Sequence, residues 1–283
     1  MNVKMTVFDS DKQKGAYDQK FSVEEAEKAL SFHSGLEGYE ATPLRKLDAL
    51  SRFLGISGLY VKDESYRFGL NAFKALGGSY ALARVMAEKT GKGLEEITQT
   101  PAGTFTFVTA TDGNHGRGVA WAAKNLSQKA VVYMPKGSAR ERLENIRRLG
   151  AEAEITELNY DDTVRFAKSQ AEKNGWILVQ DTAWEGYETI PTWIMQGYMT
   201  MALEAVKQLG EVRPTHIFLQ AGVGAMAGAV TGFFSNYYGD SMPKLSIVEP
   251  DRADCLFRTA KAADGTLHKV EGDLDSIMAG LCC

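Results

Sequence analysis

Cysteine is scarce in this chain: Cys255, Cys282 and Cys283 are the only three in 283 residues. They have neither metal-ligand spacing nor the density of a secreted disulfide scaffold, so no zinc or other metal site is read from them. An excess of one charge sign is also missing. A net charge of -4 and a pI of about 5.7 give no blanket attraction to nucleic acid or to an anionic membrane. The basic run from Arg140 to Arg148 alternates with acids at helical spacing, as a solvated helix face does. No apolar run approaches the length of a membrane span, and the opening Met1 to Asp9 lacks the apolar core of a signal peptide, so the expected location is cytoplasmic. Internal repeats and low-complexity tracts are absent.

What remains is a globular chain, 44% hydrophobic and 24% charged, with enough residues for one large or two moderate domains. Ser22 and Glu25 make an S-x-x-E capping box ahead of a short helix to about Phe32. An amphipathic run follows Ala41 to Leu47, and Gly58 to Lys62 reads as a strand. Residues 90 to 104 look like a loop. From Phe105 strands and helices alternate. Strands are expected at Phe105–Thr109, Ala130–Met134, Ala153–Thr156 and Trp176–Val179. The intervening helices are expected to be capped by Ser138 with Glu141 and by Asp161 or Asp162. Residues 191 to 209 are helical, and His216–Leu219 and Leu245–Val248 read as buried strands. Such alternation implies parallel crossovers and an α/β sheet covered by helices.

In open α/β sheets ligands gather beyond the carboxyl ends of the strands. Three loops there are unusual. Thr109 to Gly116 gathers Asp112, Asn114 and His115 ahead of a helix start, which favours an anion, although an N-cap explains part of it. Gln180 to Tyr187 puts Asp181 at a strand end beside aromatic residues, where a shielded carboxylate suits a general base and simple capping is the competing reading. Gln220 to Gly228 is a glycine loop that wraps a phosphate or, with Glu249 ending the next strand, forms a dinucleotide fingerprint.

A fourth stretch, Asp63 to Gly78, centres on Lys74. The lysine opens a helical pattern in which Gly77 and Gly78 leave room for close approach. An amine held there and partly desolvated suits Schiff-base chemistry with a carbonyl, whereas a surface lysine at a helix start is the plain alternative. Hydride transfer has no use for such a lysine, and a Schiff-base cofactor needs a lysine, a phosphate cup and a nearby base.

With these segments in hand, the sequence resembles the fold type II pyridoxal-phosphate enzymes, which include the serine and threonine dehydratases and the tryptophan synthase β chain. The strings KDESYRFGLNAFKALGG, TDGNHGRGVAWAA, VQDTAWEGY, IPTWIMQGY, LQAGVGAMAG, VEPDRADC and IMAGL are similar to the diaminopropionate ammonia-lyases within that group. The common dehydratases differ in having Ser at the position of Asp112 and a glycine-richer phosphate loop.

The resemblance implies two parallel-sheet α/β domains with pyridoxal 5'-phosphate in the cleft between them. The larger domain would comprise residues 1–84 and 206–283, and a smaller inserted one residues 85–205. It implies that Lys74 holds the aldehyde, that Gly222, Val223, Gly224, Ala225 and Met226 cup the phosphate, and that Asn114 contacts the ring hydroxyl. Asp112 and Asp181 would join Lys74 as catalytic groups. The implied reaction is α,β-elimination of D- and L-2,3-diaminopropionate, a carbon–nitrogen lyase activity of amino-acid catabolism, in a homodimer that engages neither nucleic acid nor membrane. Action on serine or threonine, a catalytically silent fragment and a dinucleotide-binding oxidoreductase are the alternatives. Members of the family continue past the residues matching Leu281, so the expectation is an incomplete cofactor domain, with a Cys255–Cys283 disulfide at the cleft mouth as one possibility.

Overall fold

Helix α1 (Val23–Ser34) begins where the Ser22 hydroxyl accepts the Glu25 amide at 3.3 Å. Only half of the expected capping box forms, because the Glu25 carboxylate turns to Lys28 at 2.6 Å. The architecture is that of a computed structural model describing residues 5–9, 17–111, 113–270 and 276–281. Strand β1 (Leu44–Lys46), helix α2 (Asp48–Leu54) and strand β2 (Tyr60–Lys62) form a small antiparallel unit. It delivers the chain to α3 (Lys74–Thr90), in which nearly every residue from Ala75 to Met86 is buried.

The alternating segment follows as β3 (Thr106–Ala110), α4 (Asn114–Asn125), β4 (Lys129–Met134), α5 (Arg140–Arg147), β5 (Glu152–Ile155), α6 (Tyr160–Asn174) and β6 (Ile177–Leu178). Its four strands make one sheet in the order β5-β4-β3-β6, with every pairing parallel. Both faces of the sheet are covered, which is why its inner strands read as continuous apolar runs. Phe107, Val132 and Met134 join the main core with α3 and α4, while Val108, Val131 and Tyr133 pack on Ala167 and Ala171 of α6.

Helix α7 (Thr189–Leu209) then runs beside α1 and α3, and strand β7 (His216–Gln220), helix α8 (Ala225–Tyr238), strand β8 (Lys244–Val248) and helix α9 (Cys255–Ala262) complete the described order. β7 and β8 pair in parallel. No helix among the described residues is long and apolar enough to cross a membrane.

Several local expectations are corrected. Ser138 does not cap α5, because its amide is still closing a turn on the Pro135 carbonyl, and the helix starts at Arg140 behind an uncapped Ala139. Asn159, not Asp161 or Asp162, caps α6, its Oδ1 accepting the Asp162 amide at 2.9 Å. The two aspartates lie in the first turn instead, where their charge suits the helix dipole. The expected loop at 90–104 contains a 3-10 turn, Leu94–Gln99, that buries Ile97. β7 and β8 are not fully buried: Phe218 is 65% exposed and Val248 48%, since among the described residues these strands pair only with each other. The expected domain division at 84/85 and 205/206 stays an expectation; those positions lie within α3 and α7.

Candidate active site

Two helix crossings fix the start of α3. Gly77 packs so tightly against α7 that an added Cβ would lie 2.6 Å from Tyr198 Cε1, and one added at Gly197 would lie 2.5 Å from the Leu76 carbonyl oxygen. On the other side a Cβ at Gly118 of α4 would meet the Lys74 carbonyl oxygen at 2.9 Å, and one at Gly78 would meet the Gly118 backbone at 3.1 Å. Backbone therefore touches backbone on both flanks of the first turn, a closeness only glycine permits. The room read from Gly77 and Gly78 is used in this way.

Lys74 projects from that turn with its side chain about a quarter exposed, and its Nζ donates to Asp181 Oδ2 at 2.6 Å. Asp181 is buried and comes from the end of the parallel sheet. After β6 the Val179 amide continues the ladder to the Val108 carbonyl at 2.8 Å. Gln180 then clamps the turn to β3: its Oε1 accepts the Thr109 hydroxyl at 3.1 Å and the Ala110 amide at 3.2 Å, while its Nε2 donates to the Ala110 carbonyl at 2.8 Å. The Tyr187 hydroxyl adds a second clamp by accepting the Gln180 amide at 2.8 Å and donating to the Leu178 carbonyl at 2.9 Å. Sequence reasoning placed Asp181 at the strand end and missed these clamps, because a glutamine and a tyrosine at such positions look like any surface loop.

His115, buried on the first turn of α4, donates from Nε2 to the Val179 carbonyl at 2.9 Å. That bond fixes the tautomer, leaving Nδ1 as the lone pair 3.7 Å from Asp181 Oδ2. Burial holds the His115 ring below the ordinary histidine value, so it is neutral at pH 7. Burial also disfavours the Asp181 carboxylate. The Lys74 ammonium beside it, which also donates a hydrogen bond to it, outweighs this and holds its pKa below the usual carboxylate range.

His115 Nδ1 and the hydroxyl of Tyr198, the residue against Gly77, are buried polar atoms without a hydrogen-bond partner. Buried polar atoms normally have one, so polar atoms left unpaired around an amine are what a site built for a polar ligand presents. The glycine loop falls where expected, between β7 and α8. Gly224 takes φ +93°, and α8 starts at Ala225 with no side-chain cap, which leaves its first-turn amides for an anion. Gly222, Val223, Gly224, Ala225 and Met226 are all at least partly accessible, and Asn114 is exposed at the first turn of α4. Asp112 lies outside the described residues, as do Cys282 and Cys283 and with them the expected Cys255–Cys283 pair. Cys255 sits in the first turn of α9 with Sγ 3.4 Å from the Gly222 carbonyl oxygen.

Comparison with known proteins agrees with this geometry. Residues 36–283 match the family model described as pyridoxal-phosphate dependent enzyme. The chain is 54% identical over 266 residues to the diaminopropionate ammonia-lyase of Salmonella typhimurium (90% of this chain, 66% of that protein). It is 50% identical over 289 residues to that of Escherichia coli K12 (100% of this chain, 72% of that protein). This chain belongs to the pyridoxal-phosphate-dependent enzymes, in the diaminopropionate ammonia-lyase family. It spans 66% and 72% of the lengths of those two relatives. A crystal structure of the Escherichia coli enzyme in complex with an aminoacrylate–pyridoxal phosphate azomethine reaction intermediate superposes with a TM-score of 0.85 and 51% identity, covering 95% of this chain and 68% of that one.

The family's cofactor fits the residues present: a partly exposed lysine amine, two unpaired buried polar atoms beside it, and an uncapped helix start behind a glycine loop. The dinucleotide reading of that loop does not fit. Glu249, which would have to meet a ribose, accepts the amides of Leu256 at 2.9 Å and Phe257 at 2.8 Å and thereby caps α9.

Proposed function

We propose that this chain catalyses the α,β-elimination of 2,3-diaminopropionate, in either enantiomer, consuming one water and releasing pyruvate and two molecules of ammonia. The observation that carries this reading is the Lys74–Asp181 pair at the head of a helix locked on both sides, in a chain half identical to curated diaminopropionate ammonia-lyases. When bound, pyridoxal phosphate supplies an aldehyde for Lys74 and an electron sink that acidifies the substrate Cα–H.

The protein's own groups do the rest. The amides of Gly222, Val223, Gly224, Ala225 and Met226 would hold the phosphate, and Asn114 would contact the ring hydroxyl. The Lys74 amine, when not engaged with the cofactor's aldehyde, would take or return a proton on its side of Cα. Asp181, held as a carboxylate, serves another side of Cα or receives the substrate's distal ammonium. Asp112 is the second carboxylate for these two tasks. The burial of the Asp181 end of the cleft keeps water from competing for the protons.

We further assign a two-domain division with the cofactor in the cleft, a homodimeric assembly, a cytoplasmic location and a catabolic role. The support is the family membership together with the lack of any charge excess or membrane-spanning helix among the described residues. The test uses the full chain with added pyridoxal phosphate. D- and L-diaminopropionate should each yield pyruvate and ammonia in a ratio of one to two, and borohydride should attach the cofactor to Lys74. Faster turnover of serine or threonine would replace this reading with a dehydratase, and a failure to trap cofactor on Lys74 would remove it.

A further inference from the structure

Seven residues before Lys74 the chain buries an arginine completely. Arg67 is 1% exposed, in a 3-10 segment (Glu64–Gly69) that leads into the turn before α3. Its guanidinium is committed on every side. Nε donates to Glu64 Oε2 at 2.9 Å, and Nη2 to Glu64 Oε1 at 2.8 Å, to Glu204 Oε2 at 2.7 Å and to Thr42 Oγ1 at 3.1 Å. Nη1 donates to Glu204 Oε1 at 2.9 Å and to the Glu40 carbonyl at 3.2 Å. Glu204, itself buried in the last third of α7, also takes the Tyr39 hydroxyl at 2.7 Å and the Lys62 ammonium at 2.6 Å.

Ion clusters of this kind add little stability over well-packed apolar residues, and a bidentate guanidinium–carboxylate pair fixes the relative orientation of its two partners. The orientation fixed here bears on Lys74. Between Arg67 and Lys74 the backbone passes through two non-glycine residues in the left-handed region, Phe68 at φ +49° and Asn71 at φ +53°. Asparagine takes such an angle readily, but phenylalanine holds it only where the surroundings over-determine it. On one side Arg67 ties this turn to α7; on the other the Phe68 ring lies on Trp121 of α4, 4.1 Å between centroids. α7 and α4 are also the helices whose glycines touch the first turn of α3. The turn before the lysine and the turn that carries it are thus referred to the same two struts.

We propose that the Arg67–Glu204 clamp is a positioning device for Lys74: the bidentate fork sets the strained 67–73 turn, and through it the place of the amine. The proposal rests on Lys74 being the cofactor lysine, and the test separates the two. In the full chain, Arg67→Lys keeps the charge and loses the fork. Hydrogen exchange without added cofactor should then speed up about tenfold or more in residues 68–74 while residues 106–110 keep the wild-type rate. Borohydride trapping of pyridoxal phosphate on Lys74 should slow by a similar factor, and kcat should fall more than KM rises. Tyr39→Phe removes one bond to Glu204 without disturbing the charges, and serves if Arg67→Lys does not fold; it should speed exchange in 68–74 about threefold and nowhere else. Equal acceleration in both segments, or wild-type exchange in 68–74, would overturn the clamp. Absence of trapping in the wild-type chain would instead remove the reading of Lys74 and leave the exchange result standing.

Discussion

In β3 and β4 the side chains of Phe107, Val108, Val131 and Val132 are all buried, whereas in β7 and β8 Phe218 and Val248 stand largely in solvent. The two strand pairs have similar apolar composition and the same parallel pairing. They differ in their surroundings: α3, α4 and α6 close both faces of the first sheet, and the second has no such pair of layers among the described residues. Each sheet presents one half of the site at its carboxyl end. The covered sheet presents Asp181, a charge whose use depends on exact placement and dryness. The open sheet presents the Gly222–Met226 loop, where, on the proposed reading, backbone amides that tolerate more motion and more water would meet a phosphate. Among the described residues, close backbone packing is concentrated on the lysine–carboxylate side.

That contrast can be broken most severely at its centre. Lys74→Ala should abolish both the borohydride-trappable cofactor and elimination, with little change in the far-ultraviolet spectrum; a retained chromophore on the enzyme would sink the assignment. Next comes Asp181→Asn, expected to slow elimination by roughly 10²–10⁴-fold and to do so unequally for the two enantiomers. Kinetics on D- and L-diaminopropionate check this, and equal losses would assign Asp181 to the distal ammonium instead.

A methyl group sharpens the comparison further. Gly197→Ala, which forces a Cβ into the Leu76 carbonyl, should cost about 1–3 kcal/mol in denaturant unfolding. Phe218→Thr, in the open sheet, should stay within about 0.5 kcal/mol. Similar losses for the two would mean that the second sheet is covered in solution.

A further effect is expected on pH dependence, at His33, buried between α1, α3 and α7. It shares hydrogen bonds with Thr200, Leu76 and Ser79. Burial pushes its pKa down from 6.5 to about 3. In this window the unfolded chain binds the proton and the folded chain does not. Stability is therefore full above about pH 6.5 and falls as the pH drops toward 3, by at most about 1.4 kcal/mol per pH unit. His33→Gln should flatten that slope in urea titrations at pH 7 and pH 5. An unchanged slope would show that His33 is not the group responsible.

Much of this was legible in the residues. The alternation after Phe105 gave the parallel sheet because a covered sheet demands apolar runs of strand length. Lys74, Asp181 and the glycine loop stood out because lysine before paired glycines, a carboxylate among aromatics at a strand end, and G-x-G-x-x-x-G are unusual sequences in those places. Other features were hidden. Glu204 sits in the last third of a helix with no local sign that it will be buried, and Arg67 reads as a loop arginine. Gln180 and Tyr187 gain their meaning from partners that are 70 residues away or across the turn. The expected helix caps at α5 and α6 are off by one to three residues, since several Ser, Asn and Asp compete there and the preceding turn decides among them.

By itself the sequence determined the periodicities, the order of strands and helices, and the residue types able to hold an aldehyde, a phosphate and a proton, because these depend on local spacing and on side-chain chemistry. Only the tertiary structure decided which groups meet. The Lys74–Asp181 pair spans 107 residues of chain and the Arg67–Glu204 pair 137. Such pairings arise from the way α3 crosses α4 and α7, at glycines whose lack of a side chain says that something comes close and leaves the neighbour unnamed.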